Sequence, residues 1–243
     1  MKTVWITGAG SGIGCALAKS MADHGWQVLA TARDETKLQT LADYNDNIQA
    51  LPADLTDDVD LKTLADFFIL RDRVLDAVVV NAGVCEYMNK ARLDMQSLRR
   101  VFDVNLFAAA ATIDIALPSL KKAGGVIVGI SSMSTYLPFT RAEYYGASKA
   151  AFNYYLQSLR IDLKLEGVSV TEVYPGFVKT PLSDKNDFAM PFRVSAEQAA
   201  QCIERSIVRK QRQCAFPGRM HYLLKMLSLL PGLWQHLHRA EAG

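Results

Sequence analysis

"TVWITGAGSGIGCALAKSMADHG", residues 3–25, is the stretch that decides the fold. A run rich in β-branched and aromatic side chains leads into Gly8, Gly10, Gly12 and Gly14, and then into a segment whose apolar residues recur at helical spacing. Strand, glycine loop and helix in this order form a phosphate-binding turn. The glycines let the backbone turn tightly and approach an anion, while the helix N-terminus offers free N–H groups and a partial positive charge. The spacing T-G-x-x-x-G-x-G is met in full; G-x-G-x-x-G is not, because Ile13 and Cys15 stand where it needs glycine.

Outward from that stretch, short apolar runs recur as "WQVLAT", "IQAL", "LDAVVVN", "GVIVGIS", "VSVTEVY" and "CAFP", each suited to a strand buried on both faces. Longer segments of helical period separate them, among them "ETKLQTLADY", "DLKTLADFF", "LFAAAATIDIALPSLKK", "AAFNYYLQSLRIDLKLEG" and "SAEQAAQCIERSIVRK". The alternation predicts a doubly wound α/β fold: a seven-stranded, mostly parallel sheet with helices on both faces, in one domain over residues 1–217. An apolar C-terminal helical extension is expected over 218–243. With 243 residues, half of them hydrophobic, the chain has ample material for a core.

A net charge of +2 without a run of like charge points to no nucleic-acid partner. Cys15, Cys85, Cys202 and Cys214 are too scattered for a disulfide framework or a zinc site. His24, His221, His236 and His238 lack an acid at ligand spacing, so no metal is expected. The N-terminus turns polar too quickly for a signal peptide, which makes the cytoplasm the expected location.

The second strand ends near Ala32, a methyl where NAD-binding folds place an acid on the ribose 2′-hydroxyl, and Arg33 follows with a guanidinium suited to a 2′-phosphate. NADP is therefore expected as the preferred cofactor. A register shift that brings Asp34 to the ribose would restore NAD. Further on, "YYGASK" places Tyr145 and Lys149 at i and i+4, one helical face, with Tyr144 about 100° away. An ammonium roughly 5 Å from a phenol contributes on the order of 3 kcal/mol at an effective dielectric of 20, enough to lower the phenol pKa by about two units. Such a group can exchange a proton with a substrate oxygen. Ser131 and Ser132 close the strand "GVIVGIS", where ligands gather in open α/β sheets.

Taken together, the glycine loop, Ser132 at a later strand end and Tyr145/Lys149 opening the next helix resemble the short-chain dehydrogenase/reductase family of Rossmann-type oxidoreductases, over about residues 2–210. The resemblance implies a catalytic set of Asn105, Ser132, Tyr145 and Lys149. It implies a cofactor site of Gly8, Ser11, Gly12, Ile13, Gly14, Arg33, Asp54, Leu55, Asn81, Ala82 and Gly83, with Tyr145, Lys149 and the segment Pro175, Gly176, Val178, Thr180 at the nicotinamide end. Asn105 would hold a water in a proton relay, Ser132 would bond the substrate oxygen, and Lys149 would bind the nicotinamide ribose. Val80 and Ser11 depart from common family residues, so Arg33 would act alone on a 2′-phosphate. The expected activity is NADP(H)-dependent carbonyl reduction or the reverse alcohol oxidation, and the expected assembly a homodimer or homotetramer through "LFAAAATIDIAL" and "AAFNYYLQSLRIDL". The alternatives are an NAD-preferring alcohol dehydrogenase and a sensor of dinucleotides without turnover. The small-molecule substrate is unspecified; Phe188, Met190 and Phe192 favour an apolar one.

The tail from Arg219 to Arg239 is rich in Leu and Trp but broken by Lys225 and Pro231–Gly232, so it should not span a bilayer. Two coverings are expected: packing over the substrate cleft or a partner subunit, or peripheral contact with a membrane interface.

Overall fold

In β1 (Thr3–Thr7) the side chains part by period two: Val4 and Ile6 enter one hydrophobic layer and Trp5 the other. The computed structural model describes residues 1–88 and 92–237. After β1 the chain runs through α1 (Gly12–Asp23), β2 (Gln27–Thr31), α2 (Glu35–Ala42), β3 (Ile48–Ala50), α3 (Asp58–Leu70) and β4 (Ala77–Val80). It continues with α4 (Met95–Phe102), a π-helical turn (Asp103–Ala108), α5 (Ala109–Ala123), β5 (Val126–Ile130), a 3₁₀ turn (Met133–Thr135) and α6 (Glu143–Asp162). β6 (Ser169–Pro175), a second 3₁₀ turn (Ser183–Lys185), α7 (Ala196–Val208), β7 (Gln213–Phe216), α8 (Gly218–Leu227) and α9 (Pro231–Leu237) complete it.

The seven strands are parallel in the order β3-β2-β1-β4-β5-β6-β7. One layer joins α1, α2 and α7 to the sheet through Leu17, Met21, Leu38 and Ile203; the other joins α3, α5 and α6 through Phe68, Ile113, Phe152 and Leu156. The order reverses between β1 and β4, so the loops after these strands part and open a crevice at the carboxyl edge.

Asp34, Asp57, Asp94 and Ser195 cap α2, α3, α4 and α7, each accepting from first-turn N–H groups. Ser11, the N-cap of α1, makes no such bond, which leaves the first-turn donors of α1 facing the crevice without a side-chain acceptor among the described residues.

The expected strands all form. α4 and the π-helical turn are additions that the apolar runs did not announce. The continuous helical stretch Met95–Ala123 is long and apolar enough in composition to cross a membrane, but Val101, Ile113, Ala116 and Leu120 are buried and we read it as a core helix. The tail folds as α8 and α9; His238 and Arg239, which figured in the sequence reading, lie outside the described residues.

Candidate active site

The crevice is a cleft of about 530 Å³ built from the ends of four strands. Gly8, Gly10, Ser11, Gly12 and Ile13 follow β1; Ala32, Arg33, Asp34 and Lys37 follow β2; Ala53, Asp54, Leu55 and Thr56 follow β3; Asn81, Ala82, Gly83 and Val84 follow β4. Thr180 and Leu182 close it from beyond β6. Gly8 is held at φ +65°, and a Cβ there would stand 2.8 Å from the Ala82 Cα. Gly14, one turn into α1, would place a Cβ 2.4 Å from the Gly8 carbonyl oxygen, so glycine is what lets the loop fold onto its own helix. Asn81 clamps the same loop: its Nδ2 donates to the carbonyls of Thr7 (3.0 Å) and Gly8 (3.2 Å). These cradles, together with the uncapped N-terminus of α1, fit a pyrophosphate.

At the adenosine end, the Arg33 guanidinium stands 3.7 Å from Asp54 Oδ2 and is 70 % exposed, free to turn toward a ligand. Asp34 is committed elsewhere. One carboxylate oxygen accepts from the Lys37 backbone N–H (3.0 Å) and the other pairs with Lys37 Nζ at 2.7 Å, which holds its carboxyl below the ordinary value. Lys37 is thus a second cation in the cleft that sequence reading missed; its place depended on where α2 begins. Asp54 accepts from the N–H and hydroxyl of Thr56, fixing the turn after β3.

The catalytic candidates converge between β5 and α6. Ser132 follows β5, and its Oγ accepts from Ser134 N at 3.1 Å. Tyr145 and Lys149 share one face of α6; Nζ lies 5.9 Å from the Tyr145 ring centroid and donates to the Ile130 carbonyl at 2.8 Å. Tyr144 is a different kind of residue: it is buried, and its hydroxyl accepts from Asp94 N at 2.6 Å, tying α6 to the start of α4. Asn105 lies in the π-helical turn with its side chain fully engaged. Oδ1 accepts from Val84 N (2.8 Å), and Nδ2 donates to Val84 O and to Ser148 Oγ (both 2.9 Å). A Cβ on Gly83 would lie 3.1 Å from Asn105 Oδ1 and 3.4 Å from Lys149 Nζ, so the loop after β4 joins the cleft to the catalytic group.

Burial works against one expectation. Lysine was expected to depress the Tyr145 pKa, yet burial pushes this phenol up to about 12; Cys85 adds to the rise, and a hydrogen-bonding contact with Ser132 opposes it. Burial also pulls Lys149 down, to about 8. Spacing placed the two groups on one face but took no account of their desolvation, which raises the phenol and lowers the ammonium. Ser131 Oγ and Ser134 Oγ, on either side of Ser132, are buried without a hydrogen-bond partner among the described residues.

The remaining expected cofactor residues divide. Thr180 packs its methyl against Gly12 and lines the cleft. Pro175, Gly176 and Val178 do not line it: Pro175 ends β6, Gly176 N donates to Phe216 O at 2.8 Å, and Val178 is buried against Val194. Gly14 sits beneath the loop rather than on the cleft wall.

Residues 2–189 match the short chain dehydrogenase family. The chain is 37 % identical over 240 residues to an uncharacterised oxidoreductase of Myxococcus xanthus, covering 95 % of this chain and 93 % of that protein. It is 32 % identical to 11-beta-hydroxysteroid dehydrogenase 1A of Arabidopsis thaliana, over 93 % of this chain and 72 % of that one. A short-chain dehydrogenase from Sphingobium yanoikuyae, solved in complex with NADPH, superposes with a TM-score of 0.82 at 26 % identity, over 100 % of this chain and 99 % of the other. Fold, cleft, the Ser132/Tyr145/Lys149 cluster and these likenesses agree, and the chain belongs to the short-chain dehydrogenase family of Rossmann-fold oxidoreductases.

Proposed function

We propose that the protein is an NADP(H)-dependent oxidoreductase that interconverts a carbonyl compound and its alcohol, with Tyr145 as general acid and base. The carrying observation is the placement of Tyr145: on one face of α6 with the buried Lys149, whose ammonium lies 5.9 Å from the phenol ring, and in contact with Ser132 at the end of β5. When bound, a nicotinamide dinucleotide supplies or accepts the hydride. The chain's own residues do the rest. Ser132 orients the substrate oxygen, Tyr145 delivers the proton to it in the direction of reduction, and Lys149 steadies the charge that follows. Both Asn105 Nδ2 hydrogens are taken by Val84 O and Ser148 Oγ, so a water held here for a proton relay would donate to a carbonyl oxygen, of the side chain or of the backbone.

The loop Gly8–Ile13 and the N-terminus of α1 would take the pyrophosphate, Asp54 and Leu55 the adenine side, and Thr180 the carboxamide. Arg33 at the β2 end favours a 2′-phosphate, while Asp34, bonded twice to Lys37, is a poor acceptor for a ribose hydroxyl. The NADPH of the Sphingobium structure supports the same preference. The hydroxysteroid name of the Arabidopsis relative puts fused-ring ketones among the first substrates to try. A dimer through α5 and α6 is consistent with the exposed Tyr154 and Ile161 on α6.

A panel of ketones and aldehydes, followed by NADPH oxidation, tests the proposal. Tyr145→Phe should lower turnover at least 10²-fold with NADPH affinity kept, and Tyr144→Phe should do far less. Arg33→Ala should weaken NADPH binding by about 1.5–3 kcal/mol and leave NADH unchanged. Turnover that survives loss of the Tyr145 hydroxyl would remove Tyr145 as the acid and base; binding of NADPH by the unmutated protein with no turnover of any carbonyl compound would favour a dinucleotide sensor instead, and tighter binding of NADH than NADPH would favour NAD.

A further inference from the structure

Three segments far apart in sequence meet at Tyr87. Its hydroxyl donates to Asn186 Oδ1 at 2.9 Å, its ring meets Phe188 edge-on at 5.8 Å, and the Arg141 guanidinium lies 5.7 Å over its face. Arg141 in turn grips the neighbouring residue of the same loop: one guanidinium nitrogen donates to both carboxylate oxygens of Asp187, at 2.9 and 3.0 Å. Arg141 also accepts from Met88 N through its carbonyl at 3.0 Å and is held at φ +65°, a conformation that a non-glycine residue keeps only where its surroundings enforce it. Phe188 continues the aromatic contact to Phe177, 6.1 Å away. Arg141, bonded through its carbonyl to Met88 N, stands just before the N-terminus of α6, the helix end that carries Tyr145, which puts this cluster beside the catalytic group.

We propose that Tyr87 is a specificity-determining residue: bonded to Asn186 and covered by Arg141, it forms with Phe177 and Phe188 an aromatic mouth beside Tyr145 that receives uncharged aryl or alicyclic carbonyl compounds. The proposal rests on the carbonyl reading above and names its substrate class. Among the described residues of the mouth the charges cancel, since Arg141 and Asp187 are paired with each other, so an anionic substrate would have to be desolvated against aromatic rings. A flat apolar group, by contrast, gains edge-to-face contacts with rings already in place. The Arg141–Asp187 pair and the Tyr87–Asn186 bond act as a latch that holds the loop in this shape.

The test uses the full-length protein with NADPH and two readouts. Amide hydrogen exchange over residues 182–192 should rise about tenfold in Asp187→Asn and in Tyr87→Phe, with NADPH affinity within about twofold of the unmutated protein. Exchange left unchanged in both variants would overturn the latch; a parallel loss of NADPH affinity would show that the loop serves the cofactor alone. The second readout compares acetophenone with 4-acetylbenzoate, by KM or, without turnover, by fluorescence-detected Kd. Acetophenone should be preferred at least tenfold, and Phe188→Ala should erase most of that preference through KM with kcat nearly kept. Equal affinity for both probes would sink the substrate class. Were no carbonyl compound turned over by the unmutated protein, the carbonyl reading would fall, yet exchange and Kd would still decide the role of Tyr87.

Discussion

Lys149 shows what the active site demands of the fold at the level of one residue. It is 5 % exposed, and its ammonium has a single described hydrogen bond, to Ile130 O. Burial brings its pKa down from 10.5 to about 8, so the folded protein holds this proton less tightly than the unfolded chain does. The penalty is therefore fully present below about pH 8 and fades as pH rises toward the unfolded value. It amounts to about 3 kcal/mol, at roughly 1.4 kcal/mol per pKa unit. Lys149→Met should then stabilise the protein at pH 7 by about 1–3 kcal/mol, the lost bond to Ile130 offsetting part of the gain, while turnover drops at least 10²-fold. Urea unfolding at pH 7 and pH 9.5 checks this: the advantage of the variant should shrink at the higher pH. An advantage equal at both would mean that packing, not the buried charge, is what methionine improves. Tyr145 carries the complementary constraint, since burial raises its pKa and so opposes the ionised phenolate that follows proton transfer.

At the scale of elements, what could be read in the sequence follows from what each signal contains. β1, β4 and β5 are buried on both faces, so their runs of Val and Ile announced them without help from alternation. The glycine loop was legible because close backbone approach admits only glycine, as Gly8 and Gly14 show. α4 was not, because it is only two turns long and buries one side chain, Val101; the helical spacing of Leu98, Val101 and Phe102 and the cap Asp94 were its only signals. The π-helical turn has no sequence signature of its own. It is settled by partners elsewhere, with Asn105 pinned between the Val84 backbone and Ser148. Helical spacing put Tyr145 and Lys149 together correctly, but solvent exposure, which governs their pKa values, is a property of the packed element and not of spacing. The same limit hid Tyr87, whose bond to Asn186 spans 99 positions.

On the scale of the whole molecule, the tail ties the C-terminus to the active-site wall. Met220, Leu224 and Trp234 form a third apolar cluster with Met133, Leu137 and Tyr174, next to the stretch that carries Ser132. Trp234 Nε1 donates to Pro138 O at 2.6 Å and its ring meets Phe139 edge-on at 5.3 Å, while Tyr136 bonds His221 across the same seam at 2.9 Å. The first covering expected of the tail, packing on the protein, thus describes one side of it. The other side leaves Tyr222, Met226 and Leu229 exposed at 74, 61 and 78 %, with Arg219 and Lys225 nearby in sequence, which keeps membrane contact open to experiment. Removing the Trp234 side chain should detach α9 from the wall. A fully buried tryptophan lost to alanine costs about 3–5 kcal/mol, but local release of a terminal helix limits the loss, and about 2–3 kcal/mol is expected, or roughly 4–10 °C in Tm for a chain of this size. Because the seam borders Ser132, turnover should fall in lipid-free buffer as well, and thermal unfolding together with steady-state kinetics on Trp234→Ala would show both effects. A variant with unchanged Tm and turnover in buffer, yet unable to float with anionic vesicles that carry the unmutated protein, would assign the tail to the membrane rather than to the active-site wall.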